Sequence, residues 1–166
     1  MQQRLPRFKE DPSKNYVGCV VGDLRYAIPI PAVREIVNAL TVLELPNAPP
    51  AVLGVADYRD EVVPVVSLRL RFGLPFVPTT RRTKWIVVES ERRLIALVVD
   101  AVTEVFRSAT VRPPPSLGLG DDARGIEGVA EKEGSLVFVL DVSRLANILT
   151  PIANAEIAQL AAENSK

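Results

Sequence analysis

Histidine is missing from the 166-residue chain, and cysteine, methionine and tryptophan occur once each. Without histidine there is no Ser-His-Asp or Cys-His pair, no imidazole metal ligand and no phosphohistidine. The side chain that most often acts as general acid or base near neutral pH is lost as well. The lone Cys19 can form neither an intrachain disulfide nor a CxxC site, which fits a reducing cytosol. Inside the apolar run YVGCVV it is expected to be a buried, inert thiol. Net charge is absent too, because 20 basic and 20 acidic groups cancel. A broad basic footprint for nucleic acid or anionic lipid is therefore not expected. Long hydrophobic runs are also lacking: the longest, Leu94–Val99, falls far short of the roughly 20 residues that span a bilayer. Residues 1–14, MQQRLPRFKEDPSK, mix both charges with two prolines and have no apolar stretch of a signal peptide. They are expected to form a flexible leader on a soluble, cytoplasmic protein that does not insert in a membrane.

What is present is short and rich in valine. The runs YVGCVV, RYAIPI, EVVPVV, KWIVVE, RLIALVV and SLVFVL are separated by the polar turns GDLR, DYRDE, ESERR and EKEGS. Beta-branched residues suit pleated, half-buried surfaces, so the pattern predicts short antiparallel strands and hairpins. With 48% hydrophobic residues, a chain of this size can bury a core without disulfide staples.

The chain also repeats itself. At a spacing of 69 residues, Tyr16-Val17 matches Trp85-Ile86, Ala27-Ile28 matches Ala96-Leu97, and Ala32 to Ile36 matches Ala101 to Val105. At a spacing of 74, Gly54 to Asp57 matches Gly128 to Glu131, and Val62 to Val66 matches Leu136 to Leu140. Each half carries a proline cluster between its blocks, at Pro46, Pro49 and Pro50 and at Pro113 to Pro115. The expected unit is a hairpin, an irregular proline stretch and a second hairpin, curled into a small barrel. Two such five-stranded barrels packed together, over 15–79 and 80–149, make a mainly β fold. Short helices interrupt it: Ser67 can cap SLRLRF, which stops at Gly73, and Asp141 leads into VSRLANIL. Thr150 and Pro151 open a C-terminal helical tail over 150–166, with Ala153, Ile157, Leu160 and Ala161 on one face. That face suits either packing on the protein's own barrel or a partner.

Few residues offer chemistry. The carboxylates fall in turns: Asp57, Asp60 and Glu61, then Asp121 and Asp122, then Glu131 and Glu133. A general acid needs a carboxyl in an apolar pocket, and the turns lack the acidic alternation of a calcium loop. Ser116 to Asp121 contains GxG without the longer phosphate-binding spacing and reads as a loop. No aromatic cluster is interleaved with Arg or Lys as nucleic-acid barrels require, and Arg81, Arg82 and Lys84 read as the connection between barrels. No catalytic residue, metal site or cofactor is expected. A carboxylate-dependent enzyme remains as the alternative from another class. Residues 33–37, VREIV, suit a helical face and a strand equally, and Arg59 sits at a hairpin tip.

The runs LPNAPPAVLGVADYRDEVVPVVSLRLRFGLP, RYAIPIPAVREIV, LIALVVDAVTEV and GIEGVAEKEGSLVFVLDVSRL together resemble the CheW-like domains, the coupling adaptors of bacterial chemotaxis, over about residues 15–149. The resemblance implies two intertwined five-stranded SH3-like barrels and no catalysis. It implies a partner at each of two surfaces, a chemoreceptor's cytoplasmic tip and the regulatory domain of a CheA-type histidine kinase. The matching receptor positions are Val33, Glu35, Gly54, Arg59, Val102 and Val105, in a groove between barrels. The matching kinase positions are Leu43 and Leu45, at an apolar end of the first barrel. The sequence departs from the family at one hairpin, with Asp57-Tyr58-Arg59-Asp60 where Asn-Leu-Arg-Gly is common, and it has Ser67 where Asp is usual. Carboxylates beside Arg59 would compete with a partner for it, which suits a specialised paralogue that binds only one of the two.

Overall fold

The structure, a computed structural model, describes residues 14–113 and 125–147. The leader up to residue 13, the stretch from Ser116 to Asp121 and the tail over 150–166 lie outside the described residues. The elements are β1 Asn15–Val21, β2 Leu24–Pro29, a 3-10 turn Ile30–Ala32, β3 Val33–Val37, β4 Val52–Tyr58, β5 Glu61–Ser67 and α1 Leu68–Arg71. They continue with β6 Lys84–Ser90, β7 Arg93–Val99, β8 Ala101–Arg107, β9 Val111–Arg112, β10 Ile126–Lys132, β11 Ser135–Leu140 and α2 Val142–Asn147. The internal repeat is reproduced element by element. β1 and β2 begin 69 residues before β6 and β7, while β4, β5 and α1 begin 74 residues before β10, β11 and α2. Residues 33–37 form a strand, with Arg34 and Ile36 facing out. Ser67 caps α1 as expected, its Oγ accepting from the Leu70 N–H at 3.2 Å.

The strands form two sheets, in the order β8-β1-β2-β11-β10-β9 and β3-β6-β7-β5-β4. The five-stranded sheet is an unbroken stretch of chain, β3 through β7, inserted between β2 and β8 of the other. The division at residues 79 and 80 falls between the repeats, whereas the sheets divide at residues 30–32 and at Asp100. The physical reason lies in two equivalent parallel pairings. Val65 of β5 faces Ala96 of β7, and their repeat partners Val139 of β11 and Ala27 of β2 face each other likewise. Each repeat thus gives its first hairpin to the sheet of the other. The run Arg81 to Lys84 accordingly joins two strands of one sheet, not two barrels.

Because the hairpins are exchanged, the largest core belongs to both sheets. Ile28 from β2, Leu68 from α1, Ile86 and Leu97 from β6 and β7, Leu140 from β11 and Leu145 from α2 are all fully buried in it. Each such side chain contributes about 1.5–3 kcal/mol of hydrophobic stabilisation. Smaller clusters fill the barrels separately, around Trp85 and Val63 in one and around Tyr16 and Val139 in the other. The paired barrels are therefore one body that shares its largest core.

Candidate functional site

β3 and β4 are the two edges of the five-stranded sheet, and curling brings them together. An edge leaves backbone groups unpaired, so the seam must be closed. The chain after β3 does this: Leu43 and Val55 exchange both backbone hydrogen bonds, at 2.8 and 2.9 Å. Gly54 makes the approach possible. Its φ is +149°, and a Cβ there would stand 2.1 Å from the Leu43 carbonyl oxygen.

Past the bridge, β4 turns into β5 through Arg59 and Asp60, whose φ values of +48° and +67° are those of a two-residue hairpin turn with both central residues left-handed. The turn directs Arg59 back across the seam. Its Nε donates to Glu35 Oε1 at 2.9 Å and its Nη2 to Glu35 Oε2 at 2.8 Å, a bidentate fork on the carboxylate. The buried Tyr58 donates its hydroxyl to Glu35 Oε1 at 2.5 Å, and the guanidinium lies 5.6 Å from the Tyr58 ring centroid. The Arg59 hydrogen bonds, then that of Tyr58, hold the Glu35 carboxyl down at about 2. The Glu35 hydrogen bond, then burial, holds the Tyr58 hydroxyl above its ordinary value, against the opposing pull of Arg59. Arg59 is still 69% exposed, so the part of its fork that Glu35 does not occupy faces outward. Beside it, Arg34 pairs with Glu89.

The acidic residues flanking Arg59 do not divert it. Asp57 Oδ1 accepts from the Asp60 N–H at 3.1 Å and so closes its own turn. The expected competition from the turn is corrected accordingly: the carboxylate that takes Arg59 is Glu35, from the opposite edge of the sheet.

The second barrel repeats this seam with altered chemistry. Glu104, the repeat partner of Glu35, pairs with Lys132, which stands where the first repeat has Tyr58. Lys132 also lies 5.9 Å from the Phe106 ring centroid, and Gly128 passes close to the Arg112 carbonyl as Gly54 does to that of Leu43.

The other sequence-selected positions divide. Val33 on β3 and Val102 on β8 are half-buried and pack on the shared core from the two sheets, while Val105 is 64% exposed. Gly54 is buried under the Leu43 backbone and offers no side-chain surface. Leu43 is exposed, whereas Leu45 lines a cleft of about 560 Å³ with Leu40, Pro49, Phe76, Val77 and Trp85 around it. Sequence reasoning missed Tyr58, Lys132 and the linker residues Phe76 and Val77. The repeat offered a signal for Lys132, since Glu104 and Lys132 fall at the two spacings from Glu35 and Tyr58.

Cys19 is buried as expected, and burial, then Asp100, pushes its thiol up to about 12. Glu127 is held above its ordinary value by burial, then by Asp141. Asp141 itself is engaged in capping α2 through the Ser143 N–H and hydroxyl, at 3.0 and 2.6 Å. Among the described residues no group of three His, Cys, Asp or Glu side chains could hold a metal ion, and no helix is long and apolar enough to cross a membrane.

Comparison with known proteins places these features. The CheW-like domain family matches residues 15–149. The chemotaxis protein CheW of Helicobacter pylori is 33% identical over 132 residues, covering 78% of this chain and 79% of that protein. Protein FrzA of Myxococcus xanthus is 30% identical over 140 residues, covering 81% and 86%. Among solved structures, the scaffolding protein TtCheW from Thermoanaerobacter tengcongensis superposes with a TM-score of 0.70 at 25% identity, covering 78% of this chain and 89% of that one. With its duplicated unit, its paired SH3-like barrels and this match over nearly all of the described residues, the chain belongs to the CheW-like domain family.

Proposed function

We propose that the protein is a non-catalytic chemotaxis adaptor in the cytoplasm that couples the tip of a chemoreceptor to the regulatory domain of a CheA-type histidine kinase. An adaptor needs two separate surfaces on a scaffold that keeps its shape, and paired barrels with a shared core supply them. The receptor surface comprises Glu35 and Arg59 at the seam with Val33, Val102 and Val105. A receptor tip is a helical hairpin, which an apolar groove with a charged rim accepts through a few anchoring side chains. The kinase surface comprises Leu43 and Leu45, at an apolar end of the same barrel.

The observation that carries this reading is the state of Arg59: exposed, yet held in one orientation by the Glu35 fork. An arginine whose freedom is already restricted loses less entropy on binding, and arginine is enriched among interface anchors. Arg59→Ala is expected to weaken receptor binding by about 2 kcal/mol, roughly thirtyfold, in co-sedimentation with receptor-containing membranes. The substitution should lower the urea midpoint only slightly at neutral pH, because the Arg59–Glu35 ion pair it removes is largely solvent-exposed. Unchanged binding removes Arg59 from the site. Glu35→Lys is the parallel test, and loss of folding instead of binding would make the pair a structural closure only.

A further inference from the structure

Among the described residues the chain passes between the two sheets twice, at residues 29–33 and at Asp100. The two crossings are repeat partners but are built differently. At the first, Pro29, Pro31 and the 3-10 turn carry the chain across. At the second, Asp100 stands between β7 of one sheet and β8 of the other and binds groups from both sides. Its Oδ2 accepts from the Gly22 N–H at 2.7 Å, in the β1–β2 turn of the six-stranded sheet. The same oxygen accepts from Arg69 Nη1 at 2.7 Å, on α1, which follows β5 of the five-stranded sheet. Arg69 Nε then donates to the Pro75 carbonyl at 2.8 Å, and the Asp100 N–H donates to Val20 at 2.9 Å. Leu74, next to Pro75, packs so closely on Gly22 that a Cβ there would meet it at 2.6 Å. At the first crossing the repeat partners of Asp100 and Arg69 are Pro31 and Ser143, neither of them charged.

We propose that Arg69 and Asp100 are positioning residues, a one-sided clamp that fixes the angle between the two barrels. Arg69 and Asp100 are 19% and 28% exposed, so the pair is shielded well beyond an ordinary surface ion pair. It joins four pieces: the β1–β2 turn, α1, the linker at Pro75 and the start of β8. Val102 lies two residues beyond Asp100, while Val33 belongs to the other sheet. If the inter-barrel groove is the receptor surface, the clamp sets its width; the clamp itself stands without that assignment.

The test is a distance measurement on the free, full-length protein. Glu61→Cys and Ser135→Cys place one nitroxide on an exposed strand start of each barrel, at equivalent repeat positions. Cys19, buried, is not labelled. Double electron–electron resonance should give a narrow distance distribution for the otherwise unaltered chain. Arg69→Met and Asp100→Asn should each broaden and shift it. Val63→Ala, inside the five-stranded barrel's own cluster, should lower the melting temperature and leave the distribution as it was. Should a charge-removing variant not fold, Arg69→Lys replaces it, since one ammonium cannot serve Asp100 and Pro75 with the same geometry. An unchanged distribution in the clamp variants overturns the proposal, and so does equal broadening by Val63→Ala. Neither outcome depends on a receptor, so failure here is distinct from failure of the adaptor reading.

Discussion

Alanine at Gly54 should open the seam of the five-stranded barrel. The added Cβ would stand 2.1 Å from the Leu43 carbonyl oxygen, 2.8 Å from its carbonyl carbon and 2.9 Å from Val42 Cγ1. The two closest of these atoms are backbone, which cannot swing aside as a side chain does. Relief requires Leu43 to withdraw, and that breaks both hydrogen bonds of the Leu43–Val55 bridge. Each such bond is worth about 0.5–1.5 kcal/mol. A φ of +149° adds about 1–3 kcal/mol for any residue with a Cβ. The expected loss is therefore about 2–6 kcal/mol, which at a urea m-value near 2 kcal/mol/M moves the midpoint down by about 1 M or more. Gly128→Ala is the internal control. Its φ is unremarkable and its nearest obstacle is the movable Val111 side chain at 2.5 Å, with the Arg112 oxygen at 2.7 Å. Overpacking of that kind costs about 1–3 kcal/mol. Equilibrium urea unfolding of both variants decides the matter. A loss below about 1 kcal/mol at Gly54, or a larger loss at Gly128 than at Gly54, would refute the reasoning that the glycine serves the seam.

Three further outcomes follow from named contacts. Asp60→Gly should gain about 0.5 kcal/mol in urea unfolding, because glycine takes a φ of +67° without the steric cost that aspartate bears; a loss instead would mean the aspartate stabilises its turn. The Glu35 carboxyl, held at about 2 against an ordinary 4.5, contributes stability that is complete above pH 4.5 and is lost as pH falls toward 2. The stability difference between the native chain and Glu35→Gln should therefore shrink across that window, whereas an NMR titration of Glu35 centred near 4.5 would show the Arg59 fork is not formed. Ser67→Ala removes the cap of α1 and should cost about 1 kcal/mol in thermal or urea unfolding; no change would mean that the packing of Leu68 alone holds the helix.

Much of the fold could be read from the residues. The six valine-rich runs became strands because beta-branched side chains at alternate or continuous buried positions have few other stable conformations. β4 and β10 were visible chiefly through the repeat, since Gly54 and Gly128 interrupt their apolar pattern for the sake of close backbone approach. The exchange of hairpins was not legible from composition or periodicity. Val65 can face Ala96 or Ala27 with nearly the same local chemistry, so only the packed molecule distinguishes them. The site shows the same division. Glu35 and Arg59 were selected as neighbours in function, but their mutual fork depends on the closure of β3 onto β4. The passage of the Leu43 backbone over Gly54 is equally hidden, since a glycine in a strand does not name the segment that approaches it. The role of Tyr58 is invisible in the sequence, because a tyrosine in a hairpin carries no sign of the carboxylate that will meet it 23 residues away. Arg69 and Asp100 are likewise ordinary in sequence and become a clamp only where the chain changes sheets.

The most direct measurement is ternary co-sedimentation of the protein with receptor-containing membranes and a CheA-type kinase. A scaffold with two separate surfaces predicts that the kinase enters the pellet to a much greater extent when the protein is present, and that Arg59→Ala sharply reduces that gain. Kinase recovery that is the same with and without the protein would contradict the adaptor function.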